Sequence, residues 1–468
     1  GAPEGFDARL ALDELTRAGS AVIHVARDDR RLAEMAEALA FFAPEVPVLR
    51  FPAWDCLPYD RVSPNPDIAA ARMATLAALA TGGLRGIVVL TTVAAAMQAV
   101  PARSVLREAA WSARVGDRVD EAGLRRFLAR MGFAQSTTVT EPGDYAIRGG
   151  IVDVYPPGSG GPVRLDFFGD VLESARRFDP ASQRTTDAVD RVDLAPVSEV
   201  ILDDAAITRF RQNYRIAFGA AGSDDPLYEA VSAGRKQQGV EHWLPFFHET
   251  LETVFDYMPE ASVVLDDRVI AARDSRWEGI VDQYGARRHA LAQKQTLGAT
   301  VYNPVPPEQL YLDAGAWDAA LADRRVIQLN PLPQASGPGA VDAGARAGRS
   351  FAPERQNPDA RLFEALAGHV RTRLEDGPVL IASYSEGARE RLEGLIADEG
   401  LTGAVPVRTA AAIGKTGLHL AVWGLEAGFE APWGDRRLTV ISEQDVLGDR
   451  LIRAPRKKRK AENFLTEA

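Results

Sequence analysis

Two glycine-containing stretches have residue types that could hold the phosphates of a nucleotide. The first, IGKTG at residues 413–417, contains the Gly-Lys-Thr end of a Walker A loop. A complete loop also needs a glycine at position 409, which is threonine, and a helix directly after it whose backbone N–H groups bind the phosphates. A strand-like run, LHLAVW, follows instead. The sequence therefore predicts no phosphate site here.

The second stretch, GAPEGFDARL at residues 1–10, leads into a helical pattern before the first strand pattern. It has no lysine for the phosphates and no Ser or Thr after a lysine for magnesium. Glu4 and Asp7 would repel a nucleotide. This segment has the position of a phosphate loop without its chemistry, so we expect no nucleotide cofactor.

The histidines do not form a pattern typical of a metal site. His242 and His248 are six residues apart, whereas a spacing of four places two ligands on one helix face, and Pro245 interrupts the segment. No Gly-x-Ser-x-Gly nucleophile motif is present. We expect packing or surface histidines, with neither a metal nor catalytic residues.

A basic run, RAPRKKRK at residues 453–460, could contact phosphate backbones or an acidic partner. A solvated hinge is the interpretation that we favour. The formal net charge of the whole chain is −11, which argues against a surface that binds nucleic acid without specificity.

A candidate binding face lies in VRLDFF, residues 163–168, because neighbouring side chains of a strand point to opposite faces. Leu165 and Phe167 share an apolar face, which we expect to pack on an amphipathic helix. Arg164, Asp166 and Phe168 share the other face, which we expect to be wet.

Arg148, in YAIRGGIVDVY, points away from the packing candidate Ile147. Two arginines and one aromatic residue on an exposed sheet face have the composition of a protein-binding hot spot. Alternation alone leaves open that a loop covers Phe168 and that Arg148 and Arg164 are merely solvated.

The predicted elements that must position these residues change in type along the chain. Continuous Val/Ile runs with helical stretches between them indicate a parallel α/β layer. Short alternating runs with Gly and Pro between them indicate an antiparallel meander, with Gly169-Asp170 as a hairpin turn and a helix capped by Asp120 beside it. We expect an α/β domain in two parts (1–113 and 197–331), an inserted α+β domain (114–196), a linker (332–358), a small α/β domain (359–450) and a basic linker (451–468).

The bulk composition is that of an ordinary globular protein, with 46% hydrophobic and 25% charged residues in a chain of 468. The single cysteine, Cys56, excludes an internal disulfide and is typical of a cytoplasmic protein. No apolar run is long enough to span a membrane. The chain begins without a methionine, and we expect it to be a piece of a longer protein.

Several long stretches resemble the N-terminal half of the bacterial transcription-repair coupling factor family (Mfd). The segment at 51–79 begins FPAWDCLPYDR, and the segment at 141–158 reads EPGDYAIRGGIVDVYPPG. Further matching segments lie at 164–185, 239–247 and 438–451. They occur in the order that the family has and cover nearly the whole chain.

The resemblance implies a UvrB-like module with a degenerate P-loop-like domain, in which residues 1–10 replace the working nucleotide loop of UvrB. Between the two halves of 51–79 there is no room for UvrB's DNA-gripping hairpin. The resemblance also implies that the inserted domain binds the ATPase UvrA. Its contact residues would be Arg148, Arg164 and Phe168, with the two arginines pairing with carboxylates of UvrA.

The function implied is that of an adaptor rather than an enzyme: the family recruits UvrA to lesion-stalled RNA polymerase for transcription-coupled nucleotide-excision repair. RNA polymerase and DNA would bind through an interaction domain and a translocase motor that this sequence lacks. A C-terminal regulatory domain, also outside the sequence, would cover the UvrA-binding face in the intact protein. The alternatives are a helicase-like ATPase, which needs a lysine in the first loop or a second motor domain, and a damaged-DNA-binding module, which predicts salt-dependent affinity.

Overall fold

The structure, a computed structural model, describes residues 1–219, 225–297, 301–333 and 337–448. It divides into two compact units. One unit, here called the body, consists of Ala11–Ala36 and Val46–Leu329. The other, here called the distal unit, consists of Gly1–Leu10, Glu37–Glu45 and the chain from Asn330 onward.

The first hundred residues alternate helices and strands. They contain α1 (Asp7–Ala18), β1 (Ala21–Ala26), α2 (Asp29–Phe42), β2 (Val48–Phe51), α3 (Pro66–Thr81), β3 (Ile87–Thr92), α4 (Val93–Ala96) and β4 (Val100–Pro101). β1 and β3 are buried at every position, as their continuous Val/Ile runs predict for strands covered on both faces.

The chain then makes a small α+β domain. It contains α5 (Arg103–Glu108), β5 (Trp111–Arg114), α6 (Glu121–Arg130), β6 (Ala134–Gln135), β7 (Asp144–Arg148), β8 (Ile151–Val154), β9 (Val163–Phe168), β10 (Val171–Phe178), β11 (Thr185–Ala188) and β12 (Arg191–Leu194). β5 and β12 pair antiparallel, so the chain enters and leaves side by side. Between them runs a sheet of order β11-β10-β9-β8-β7-β6. Asp120 caps α6 by accepting a hydrogen bond from the Ala122 N–H, as predicted.

The chain returns to complete the body. It forms α7 (Asp204–Phe218), α8 (Pro226–Ser232), a 3-10 helix (Val240–Phe246), β13 (Leu251–Glu252), α9 (Val254–Tyr257), β14 (Ser262–Leu265), α10 (Val269–Leu297), a 3-10 helix (Pro307–Gln309), α11 (Ala314–Leu321) and β15 (Val326–Gln328). The parallel sheet has the order β15-β14-β1-β3-β2, so strands from both ends of this unit share one core. Among the described residues no helix is long and apolar enough to cross a membrane.

The distal unit is built on a mixed sheet. Its further elements are β16 (Arg346–Ala347), α12 (Ala352–Gln356), α13 (Leu362–Asp376), β17 (Val379–Ser383), α14 (Glu386–Asp398), β18 (Val405–Pro406), a 3-10 helix (Ala410–Ala412), β19 (Leu418–Val422), β20 (Phe429–Trp433), β21 (Arg436–Ser442) and α15 (Glu443–Leu447). The strand order is β16-β20-β21-β17-β19-β18, with β16 and β20 antiparallel to their neighbours. With the parallel sheet of the body, it makes the chain a mixed α/β protein.

The segment predicted to be a linker, residues 332–358, carries part of this unit. It contains β16, which pairs with β20, and α12. Phe351, directly before α12, is fully buried in the core of α13, β17 and β21. The linker prediction is therefore wrong for residues 346–356. A single aromatic residue, Phe351, provides the contact with the core there. The segment therefore has no repeating apolar pattern from which a strand or helix could be predicted.

Candidate protein-binding surface

The candidate residues lie beside two tight turns of the inserted domain. Gly169-Asp170 joins β9 to β10, with Phe168 and Val171 paired across the turn, which confirms the predicted hairpin. Gly149-Gly150 joins β7 to β8 in the same way. β7 and β9 are both antiparallel to β8, so they run in the same direction and both turns lie at one end of the sheet.

The core face of this sheet is as predicted from alternation. Leu165 and Phe167 are buried in one apolar cluster with Leu124 and Leu128 of α6. The alternating apolar residues of β9 therefore fix which side of the strand faces the helix. By the same alternation, Phe168 has to lie on the opposite side.

The Phe168 ring is uncovered, with 79% of the residue exposed. Within the described ranges it is the one phenylalanine whose side chain is largely exposed. Because the ring stands on a paired strand beside a two-residue turn, its backbone is held in place while the ring contacts water. The alternative of a loop that covers Phe168 is therefore excluded.

Arg164 does not reach outward in the same way. Its Nε donates to Oδ1 of Asp153 at 2.7 Å, and its Nη2 donates to Oδ2 at 2.9 Å. The guanidinium also lies 4.9 Å from the ring centroid of Phe178, and 25% of the side chain is exposed. The hydrogen bonds to Asp153 raise the pKa of the Arg164 guanidinium.

The expectation that the whole second face is wet needs correction. At the end far from the turns, Val139, Ala146 and Phe178 form a small buried cluster on this side of the sheet. Asp153 lies beneath Arg164 and is also buried. Phe178 and the segment containing Val139 cover this part of the face, whereas Phe168 near the turns and Arg176, the register partner of Arg164 on β10, are exposed.

Arg148, the last residue of β7, is exposed, and its Nη2 donates to the backbone carbonyl of Thr137. Ile151 pairs in register with both Arg148 and Asp166, which places these three in one row. Phe168 lies two residues beyond Asp166 on the same strand. We call this patch the turn-end surface; it comprises Arg148, Ile151, Asp166, Phe168 and Val171.

The turn-end surface has the chemistry of a protein-docking site. An exposed ring offers apolar area to a partner, and a guanidinium and a carboxylate beside it offer directed polar contacts. The patch contains no nucleophile and no histidine. Phe168 is exposed there, whereas Arg164 is hydrogen-bonded to Asp153 and Arg148 to the carbonyl of Thr137.

The two glycine-containing stretches do not form phosphate loops. Lys415 is exposed and pairs with Asp435 at 3.4 Å, and Gly417 leads directly into β19. In the N-terminal stretch, Asp7 is buried and accepts hydrogen bonds from the backbone N–H groups of Gly5 and Ala8. Its carboxylate occupies the N–H groups that a phosphate would need.

Apolar side chains of the distal unit fill the space around the N-terminal stretch. A Cβ on Gly5, whose φ is +92°, would lie 2.7 Å from Leu425 and 3.4 Å from Trp423. Phe6 contacts Phe429, with ring centroids 5.8 Å apart. This loop is a packing element.

The two histidines in HWLPFFHE are buried apart from each other. His242 packs between Trp54 and Tyr59, and burial lowers its pKa to about 4. Nε2 of His248 lies 2.9 Å from the carbonyl oxygen of Glu199, and burial lowers the pKa of this histidine also. No group of metal-ligating residues occurs in the part of the chain that the structure describes, and the basic run 453–460 lies outside that part.

The comparisons with known proteins agree with the resemblance read from the sequence. The family described as "UvrB interaction domain" matches residues 112–199. The chain is 30% identical to the transcription-repair-coupling factor of Escherichia coli (strain K12) over 462 residues, or 97% of this chain and 38% of that protein. It is 29% identical to the Haemophilus influenzae protein of the same name over 98% of this chain and 39% of that protein. The Bacillus subtilis protein is 22% identical over 88% of this chain.

These relatives are much longer than the chain, which spans about two fifths of the E. coli and H. influenzae proteins. The inserted domain that carries the turn-end surface coincides with the matched family segment. The recognition is confirmed: the chain is homologous over nearly its whole length to the N-terminal part of the bacterial transcription-repair-coupling factors and carries a UvrB interaction domain.

Proposed function

We propose that this chain is the adaptor part of a transcription-repair coupling factor and recruits UvrA through the turn-end surface. The observation that carries the proposal is the exposed ring of Phe168 on the UvrB interaction domain. In the intact protein this step would bring nucleotide-excision repair to an RNA polymerase stalled at a lesion. The setting is the bacterial cytoplasm.

An exposed aromatic ring gains free energy when a partner buries it. Fully burying a phenylalanine side chain contributes roughly 1.5–3 kcal/mol, and a central aromatic residue in an interface often contributes 2 kcal/mol or more. Because β9 and β10 hold the Phe168 backbone in a paired strand, little conformational entropy is lost when a partner covers the ring. Arg148, in the neighbouring row, is placed for a charge-assisted hydrogen bond to a carboxylate of UvrA.

The proposal assigns no enzymatic activity to this chain. A UvrB-like ancestry would explain a degenerate P-loop-like domain, in which the segment at 1–10 keeps its place while Asp7 and the apolar neighbours of Gly5 replace the phosphate contacts. RNA polymerase and DNA would bind through parts of the longer protein. A C-terminal regulatory domain would cover the turn-end surface until the motor engages.

Titration with purified UvrA tests the adaptor function. Phe168→Ala should weaken binding about 30-fold, because losing about 2 kcal/mol corresponds to that factor. Ile216→Ala is the matched control, since Ile216 is 83% exposed but lies on α7, outside the inserted domain. Equal affinity of the Phe168→Ala and wild-type proteins, with unchanged circular dichroism, would refute the assignment of this surface.

Two further assays separate the alternatives. Measurable ATP turnover by the purified chain would favour the helicase-like ATPase. Affinity for duplex or single-stranded DNA that falls steeply with salt would favour the DNA-binding module. The adaptor proposal expects neither.

A further inference from the structure

A cavity of about 460 Å³ lies where the inserted domain meets the rest of the body. Its walls come from α5, the end of α6, the start of α7 and the segment 247–250. Part of the lining is apolar and buried, with Met131, Ile201 and Phe247. The volume is within the range of small-molecule sites, roughly 300–1,000 Å³. None of the five residues of the turn-end surface lines this cavity, so it is a separate candidate site.

His248, which lines the cavity, has a ring nitrogen without a hydrogen-bond partner among the described residues. Its Nε2 lies 2.9 Å from the backbone carbonyl oxygen of Glu199, which can only accept, so Nε2 carries the proton. Nδ1 therefore has a free lone pair, and protein atoms do not enclose it. The residue is 8% exposed, and burial lowers its pKa, which keeps the imidazole neutral at pH 7. The cavity thus offers an acceptor to a hydrogen-bond donor.

Two charged side chains that line the cavity are also unpaired within the described part of the chain. They are Glu108 of α5 and Arg130 at the end of α6. The guanidinium of Arg209 is already occupied, because it donates to the carbonyl of Phe247 and to Glu249, each at 2.8 Å. A carboxylate, a guanidinium and a neutral imidazole acceptor therefore remain for a ligand.

We infer that this cavity binds a small zwitterion with an apolar body, namely a free aliphatic amino acid. The ammonium group of the ligand donates to Nδ1 of His248 and pairs with Glu108, and its carboxylate binds Arg130. Its side chain contacts the apolar part of the lining. A zwitterion satisfies all three unpaired groups at once, whereas a singly charged molecule leaves a charge of the cavity unpaired. This site goes beyond the proposed function, because no step of UvrA recruitment uses it.

Titration of the full chain with L-leucine tests the inference, with the histidine rings followed by nitrogen NMR. We expect a saturable change in the chemical shift of Nδ1 of His248 at concentrations on the order of millimolar, since so small a ligand has a modest affinity. His242 is the internal control, because it packs between Trp54 and Tyr59 and does not line the cavity. An Nδ1 shift that does not change with L-leucine would overturn the inference.

Two analogues of leucine show which charges the cavity recognises. Isopentylamine lacks the carboxylate, and isocaproate lacks the ammonium group. Each should bind about tenfold more weakly than L-leucine, because each loses a charge-assisted hydrogen bond. Equal affinity of L-leucine and either analogue would contradict the assignment of a zwitterion.

Variants at the two unpaired charges test the assignment from the protein side. Arg130→Met and Glu108→Met alter exposed side chains, so the fold should persist, and each should weaken L-leucine binding about tenfold. Arg126→Met is the matched control, since Arg126 is an exposed arginine of the same helix that does not line the cavity. Wild-type affinity in Arg130→Met or Glu108→Met would refute the site. The result is independent of UvrA, so it stands or falls separately from the proposed function.

Discussion

At the scale of single residues, a buried ion pair secures the point where the chain returns from the inserted domain. Arg72 of α3 and Glu199 are both buried, with Nε and Oε1 2.6 Å apart. Arg72 also donates to the carbonyl of Pro52 at 2.7 Å, and its guanidinium lies 4.3 Å from the ring centroid of Phe51. The pair thus links α3 to the start of the return segment.

We predict that Arg72→Met lowers the free energy of unfolding by about 3–5 kcal/mol, because it leaves Glu199 charged and buried without its partner. Urea denaturation measures this change. Arg126→Met is the control, since Arg126 and Asp120 form an exposed pair of comparable length, 3.1 Å, and exposed pairs contribute little. Equal losses in the two variants would show that burial does not set the cost.

The direction of a side chain could be predicted from the sequence where strand alternation sets it. A contact with a residue on another strand could not be predicted in this way. Alternation placed Phe168 opposite the core, and the ring is exposed. It also placed Arg164 on that side but did not show that Asp153 binds it. The signal was present, since Asp153 interrupts the apolar run IVDV, but the pairing depends on the register between β8 and β9.

At the scale of elements, the two turns position the turn-end surface by different means. Gly169 and Gly149 both have φ near +62°, and a Cβ at either position would meet nothing within 4 Å. Gly150 differs, because a Cβ there would lie 2.7 Å from the carbonyl oxygen of Phe167. Close approach of the β7–β8 turn to β9 therefore requires glycine at position 150.

Gly150→Ala should destabilise the inserted domain by about 1–3 kcal/mol, as overpacking against fixed backbone does. It should also weaken UvrA binding, because the turn carries Arg148 and Ile151. Gly149→Asn is the matched control, since asparagine tolerates a positive φ and the position is open. Thermal melts and UvrA titrations measure both effects; a harmless Gly150→Ala would contradict the close approach.

Elements whose apolar pattern, cap or turn residues lie close together in the sequence could be predicted from it. The strands β1 and β3, the capped helix α6 and the β9–β10 hairpin each show a local signal that the structure confirms. β16 and α12 could not be found in this way. β16 is two residues long and is defined by its pairing with β20, some eighty residues later in the chain.

At the scale of the whole molecule, histidines buried in the body make the stability of the protein sensitive to acid. Burial lowers the pKa of His24, in β1, to about 3 from an ordinary value of 6.5. Within the part of the chain that the structure describes, neither ring nitrogen of His24 has a hydrogen-bond partner. His242, in the same unit, has its pKa lowered to about 4. Below pH 6.5 the unfolded chain binds protons that the folded chain excludes, so stability falls as the pH falls.

Between pH 7.5 and pH 5, the loss for His24 should be about 2 kcal/mol, because the slope approaches 1.36 kcal/mol per pH unit below pH 6.5. His24→Leu should remove this part of the pH dependence, because leucine suits an apolar site and does not titrate. The measurement is urea denaturation of both proteins at pH 7.5 and pH 5. An identical decrease in the variant would show that His24 is not excluded from protonation.

The antiparallel pairing of β5 with β12 has a consequence for how the inserted domain is attached to the body. Both connections leave the inserted domain through one ribbon, and its principal apolar cluster is drawn from the segment between Ala109 and Ile201. Because its two ends lie side by side in this ribbon, the domain interrupts the chain of the body at one place and leaves the order of the parallel sheet unchanged.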